Sequence, residues 1–146
     1  MTQANPYALN SMTASSSFSM SCALVLEDDL MVAAGLCDVI ESEGLPTLLV
    51  SGNDSVGAEA LIRHGHLLAI AVVDVSRPRD MTYALLDLLR GHGIPAVCVS
   101  TTPSIEWPAP YASLPLFIKP FDMNNFRQVL REMAAEGIHG THERGI

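Results

Sequence analysis

The 146 residues suffice for one domain with one substantial core, and a second domain is not expected. At 49% hydrophobic and 16% charged, the chain has an ordinary globular composition. No apolar run approaches the roughly 18 residues of a membrane span, so it is expected to be soluble and without membrane association. Sixteen acidic residues against eight basic ones give a formal net charge of −8, which argues against a nucleic-acid partner, because phosphate backbones are bound by clustered positive charge.

The chain opens with "MTQANPYALNSMTASSSFSM", rich in Ser, Thr, Asn and Ala, with neither the basic start nor the apolar stretch of a secretory signal. Residues 1–20 read as a disordered arm. From Cys22 onward, apolar runs of strand length recur as "CALVL", "TLLV", "LLAIAVV", "AVCV" and "LFI". Runs without polar alternation suit strands covered on both faces, as in a parallel sheet.

Helical spacing fills the intervals. Leu30, Ala33, Ala34 and Cys37 mark the first predicted face, and Met81, Ala84, Leu85, Leu88 and Leu89 mark a later one. A weaker helix follows Asn53, where "NDSVGAEALIRHG" offers a capping residue, an apolar face of Ala58, Leu61 and Ile62, and Gly65 at its end. Phe126, Val129, Leu130 and Met133 mark the last helix.

The alternation breaks at "TTPSIEWPAPYASLP". Pro108 and Pro110 each lack a backbone donor and push the preceding residue toward extended geometry, so a loop or a single turn is expected where another helix would stand. The folded unit is taken as residues 21–136; after the last helix only the polar "EGIHGTHERGI" remains, its residues 137–146 a flexible tail with no effector domain after it.

Alternating strands and helices imply an α/β fold, a parallel sheet flanked on both sides with right-handed crossovers. Ligand sites of such sheets gather at the carboxyl ends of the strands. There the first strand leads into Glu27, Asp28 and Asp29, the third ends in Asp74 with Ser76 just beyond, the fourth ends in Ser100 and Thr101, and the fifth in Lys119. Crowded carboxylates are costly unless a hard cation sits among them. Magnesium suits such a set, since it takes few protein carboxylates and keeps company with phosphoryl groups. An ammonium and a hydroxyl nearby would then hold phosphoryl oxygens.

Taken singly, each residue has a plainer role. Asp29 reads as a helix N-cap, Ser100 as a hydroxyl that satisfies a turn, and Asp74 equally as a loop cap or a chemical group. Lys119 alone could be the first solvated residue after a strand. Cys22, Cys37 and Cys98 lie in apolar stretches and read as core thiols suited to a reducing cytoplasm. Arg77 and Arg79 read as solvated, and His64, His66, His92, His139 and His142 form no ligand spacing.

The ordered set of acidic cluster, Asp74, Ser100 and "KPF" at 119–121 resembles the receiver domain of two-component response regulators, over about Cys22 to Met133. The resemblance implies a flavodoxin-like, doubly wound five-stranded parallel sheet of order 2-1-3-4-5. It implies a phosphoryl group passed from a sensor histidine kinase to Asp74. Asp28, Asp74 and the backbone carbonyl of Ser76 would ligate Mg2+, with Glu27 acting through water. Ser100 takes the place of the switch hydroxyl and Lys119 that of the phosphoryl-binding lysine, while Leu116 stands where many members have an aromatic.

The chain further resembles a branch of stand-alone receivers with a Phe-Ala-Thr-Gly-Tyr sequence after the fourth strand and a shortened or lost fourth helix. Here that stretch is "CVSTT". The resemblance implies a single-domain response regulator and not an enzyme, beyond self-catalysed phosphoacceptance and autodephosphorylation. Its partners would be the kinase and a downstream protein or a further phosphotransfer partner. A monomer is expected where the fourth helix is missing. A pseudo-receiver that kept the fold and lost phosphotransfer is the alternative. A nucleotide or flavin binder is disfavoured, since "EDDLMV" replaces a glycine-rich phosphate loop.

Overall fold

The computed structural model describes residues 21–51, 54–64, 67–76, 80–102 and 108–144, with the backbone alone from 134 onward. The expected arm (1–20), Asn53, Gly65, His66, Arg77, Arg79 and Trp107 lie outside the described residues, as do the side chains of His139 and His142. The strands are β1 (Cys22–Leu26), β2 (Thr47–Val50), β3 (Leu68–Asp74), β4 (Ala96–Ser100) and β5 (Leu116–Ile118). The helices among the described residues are α1 (Leu30–Ser42), α2 (Ser55–Arg63), α3 (Asp80–Gly91) and α4 (Met123–Arg144). The backbone of α4 thus continues helically into the stretch expected as a tail.

The strands form one sheet in the order β2-β1-β3-β4-β5, with every pairing parallel. This is the flavodoxin-like arrangement. Because side chains alternate across a strand, the sheet feeds two cores. Leu24, Leu26, Ala71, Val73 and Cys98 face α2 and α3 through Ala58, Ile62, Leu85, Leu86 and Leu89. Ala23, Val25, Ile70, Val72, Val97 and Val99 face α1 and α4 through Leu36, Val39, Ile40, Phe126 and Leu130. The central strands have no solvated face, which is why their sequences are unbroken apolar runs. Buried Cys22 and Cys98 and half-buried Cys37 are free thiols, and burial pushes Cys98 up to about 12.

Two predicted helix faces are out of phase. In α1 the buried residues are Ala33, Leu36, Val39 and Ile40, while Leu30 and Ala34 are exposed. The bulky Leu36–Val39–Ile40 stripe buries more area than the small Ala34–Cys37 stripe and takes the sheet side. In α3, Leu86 joins Leu85 and Leu89 inside, and Met81 and Ala84 are exposed. Four leucines in five positions leave the face ambiguous until the sheet selects it.

Local chemistry sets the helix ends. Asp29 caps α1, its Oδ1 accepting from Met31 N at 3.0 Å and Val32 N at 3.2 Å. The cap of α2 is Asp54: its carboxylate accepts from Gly57 N at 2.8 Å, reaching the third residue of the helix. Gly44 and Gly93, which follow α1 and α3, have φ of 89° and 71°, a conformation that other residues adopt at a cost.

Between β4 and β5 the described residues hold one 3-10 turn, Ala109–Tyr111. Tyr111 fills the space beside α3. Its ring stacks on Tyr83 at 5.2 Å, its hydroxyl donates to Asp87 at 2.8 Å, and Arg90 joins Asp87 at 2.9 Å and the Pro110 carbonyl at 3.0 Å. One aromatic side chain thus docks the segment that a helix would otherwise dock.

The hydrogen bond to Asp87 is the main reason the Tyr111 phenol ionises above the ordinary tyrosine range, with burial adding to it. A group raised on folding contributes stability below its unfolded pKa and loses it as pH rises through the folded one. Alkaline titration followed by tyrosinate absorbance should therefore show a late step from Tyr111. Asp87→Ala should bring that step down; an unchanged step would place the late tyrosine elsewhere.

Candidate functional site

The carboxyl ends of β1, β3, β4 and β5 bring Glu27, Asp74, Ser100 and Lys119 to one edge of the sheet. The β1–β3 and β3–β4 registers, Leu26 opposite Val73 and Asp74 opposite Val99, place Glu27 and Asp74 on neighbouring strand ends. Lys119 follows β5, its N–H donating to the Ser100 carbonyl at 2.7 Å, and the Lys119–Pro120 peptide bond is cis.

Lys119 is not a solvated strand end. Its side chain is 9% exposed, and its Nζ lies 2.8 Å from Glu27 Oε1 and 3.4 Å from Asp74 Oδ2. Glu27, only 2% exposed, also accepts from Asp29 N through Oε2 at 2.9 Å. Burial pushes the Glu27 carboxyl above the ordinary range, and the charge of Asp74 adds to that; the ammonium and the Asp29 N–H pull the other way. For Lys119, burial alone would lower the pKa, yet the Glu27 and Asp74 carboxylates outweigh it and hold the ammonium above its usual value.

Asp74 is oriented from its other side. Oδ1 accepts from Ser76 N at 2.9 Å and from Ser76 Oγ at 2.6 Å, which leaves Oδ2 toward Lys119. Ser100 is fully buried and its Oγ accepts from Thr102 N at 2.9 Å, the turn-satisfying role that its position alone suggested.

Asp28 departs from the cluster. It is exposed, and its Oδ1 accepts from Ser51 Oγ at 3.0 Å, at the end of β2. Among the described residues no three His, Cys, Asp or Glu side chains come together as a metal-holding group. The donor chemistry still suits a hard divalent cation, because the Glu27 and Asp74 carboxylates share one ammonium and one negative charge stays unbalanced between them.

Two contacts were absent from the sequence reading, the Ser76 hydroxyl on Asp74 and the Ser51 hydroxyl on Asp28. The second had a sequence signal: once β1 and β2 are paired, Ser51 lies one step past Val50, which is opposite Leu26.

A five-stranded parallel sheet of this order, flanked by helices on both faces, is the fold that solved CheY-like receiver domains share. The chain is similar to a CheY-like response regulator receiver domain from Methanospirillum hungatei JF-1, at 18% identity and a TM-score of 0.68, over 83% of this chain and 98% of that one. SdrG from Sphingomonas melonis Fr1 is similar at 22% identity and a TM-score of 0.64, over 79% and 97%. The BeF3-activated conformation of SdrG, from Pseudomonas melonis Fr1, gives 22% and 0.62, over 79% and 96%. No family model and no curated protein matches the chain. Among the described residues no helix is long and apolar enough to cross a membrane.

Proposed function

We propose that this chain is a response regulator that accepts a phosphoryl group on Asp74 from the phosphohistidine of a sensor kinase and signals through a changed protein-binding surface. The observation that carries the reading is the buried Lys119 ammonium lodged between Glu27 and Asp74. A cation sequestered beside an oriented carboxylate is poised for incoming negative charge.

Asp74 Oδ2 attacks phosphorus in line. A P–O bond forms while the P–N bond of the phosphohistidine breaks, its electron pair going to the imidazole nitrogen. Lys119 steadies the charge spreading over the phosphoryl oxygens, and Ser100 joins it once its hydroxyl leaves Thr102 N. Glu27 keeps Lys119 charged and in place. Mg2+ held by Asp28, Asp74 and the Ser76 carbonyl, with Glu27 acting through water, would offset the charge of the acceptor and the phosphoryl group. The chain turns over no separate substrate in this reading.

Free thiols in and beside the core support a reducing, cytoplasmic setting. The lack of a helix between β4 and β5 among the described residues supports a monomer. Beryllofluoride, the activator named for SdrG, is the fitting probe. Magnesium followed by beryllofluoride should shift the amide resonances of Asp74, Ser100 and Lys119, and Asp74→Asn should abolish the second response. A wild-type chain that takes magnesium and ignores beryllofluoride would instead be an interaction module with a constant surface. The Asp28–Ser51 bond, which draws one acid out of the cluster, is the observation that favours this second reading.

A further inference from the structure

Two backbone N–H groups lead out of β4, and each is held by a serine hydroxyl. Ser100 holds Thr102 N within its own turn, but Thr101 N donates to Ser76 Oγ at 3.0 Å, across 25 residues of sequence. The same Ser76 hydroxyl donates to Asp74 Oδ1 at 2.6 Å. A single oxygen therefore joins the acceptor carboxylate to the first residue after β4.

From this we infer that Ser76 is a positioning residue that reports the charge of Asp74 to the segment after β4, holding Thr101 while Asp74 is an anion and releasing it when Asp74 is esterified. The inference rests on the phosphoacceptor reading. A hydroxyl that donates to a carboxylate is polarised and becomes a better acceptor, so its two bonds strengthen together. When Oδ2 carries a phosphoryl group, Oδ1 becomes the neutral carbonyl oxygen of an acyl phosphate, and the bond it accepts loses roughly half its strength. The Thr101 bond weakens with it. Ser76 N still donates to Oδ1, so the carboxyl group keeps its orientation while the link to Thr101 loosens.

The test uses the full chain as wild type, Ser76→Ala and Ser76→Thr, with amide resonances and hydrogen exchange followed before and after magnesium and beryllofluoride. In the resting state Ser76→Ala should speed exchange of the Thr101 amide roughly tenfold, as loss of one hydrogen bond implies, and Ser76→Thr should restore the wild-type rate. Beryllofluoride should move Thr101 in the wild type and in Ser76→Thr. In Ser76→Ala, compared at beryllofluoride saturation as read from the Asp74 amide, Thr101 should stay where the substitution already put it. If Ser76→Ala binds beryllofluoride and Thr101 responds as in the wild type, the coupling is refuted and the phosphoacceptor reading stands. If Ser76→Ala alone loses beryllofluoride, the hydroxyl serves binding rather than relay, and the inference fails. A wild type that ignores beryllofluoride overturns both.

Discussion

Lys119→Ala is expected to destabilise the fold by about 3–5 kcal/mol at pH 8, the usual consequence of removing one partner of a buried ion pair. The side chains of Glu27 and Lys119 are 1% and 9% exposed, so the pair is shielded from solvent. Glu27 would be left buried beside Asp74 with only the Asp29 N–H to satisfy it. Urea unfolding should show a lower midpoint with an unchanged slope.

The sign of the pH dependence follows from Glu27. Its carboxyl is raised on folding by burial even with Lys119 present, and loss of the ammonium raises it further. An acid raised on folding contributes stability below its unfolded value, about 4.3, and loses it as pH climbs through the folded value. The deficit of the variant should therefore shrink as pH falls from 8 into the acid range, where Glu27 takes up a proton. Adding Glu27→Gln should recover much of the loss at pH 8. Equal stability of variant and wild type at pH 8, or a deficit independent of pH, would mean that this pair does not hold the site together.

The parallel sheet explains why so much of the site is legible in the sequence. Glu27, Asp74, Ser100 and Lys119 each end an uninterrupted apolar run, and a parallel sheet sends all such ends to one edge, so convergence follows from strand order alone. What strand order leaves open is rotamer and partner. Asp28 follows Glu27 directly, yet one is exposed and bonded to Ser51 while the other is buried against Lys119. Adjacent residues after a strand point to opposite sides, and sequence does not say which side is occupied. Ser76 was placed at the site for its carbonyl, whereas the structure turns its hydroxyl onto Asp74.

The helices divide by the same logic. The α4 stripe of Phe126 and Leu130 was legible because polar residues flank it. In α1 and α3 apolar residues occur on several faces, and only the packed sheet selects Leu36 over Ala34, or Leu86 over Met81. Pro108 and Pro110 point to the single turn that the described residues of this segment hold, but the tie from Tyr111 to Asp87 and Arg90 joins residues more than twenty positions apart and has no local signature.

Asp74→Asn is expected to eliminate phosphoryl incorporation from a small-molecule donor such as acetyl phosphate in the presence of magnesium, read as the phosphorylated fraction by intact-mass spectrometry. The substitution removes the attacking anion while keeping the shape of the side chain and an oxygen for Ser76. Lys119→Arg separates catalysis from folding. The guanidinium keeps a positive charge for Glu27, but its planar fork does not reproduce a compact ammonium reaching both carboxylates. Incorporation should then slow by about 100-fold or more, the scale seen when one preorganised charge-stabilising group is lost, with a smaller loss of stability than in Lys119→Ala. Undiminished labelling of Asp74→Asn would move the acceptor to another acid, Asp28 first among them. An unchanged rate in Lys119→Arg would show that a positive charge at this place suffices, and that the 2.8 and 3.4 Å contacts of the ammonium serve the fold rather than the transferred group.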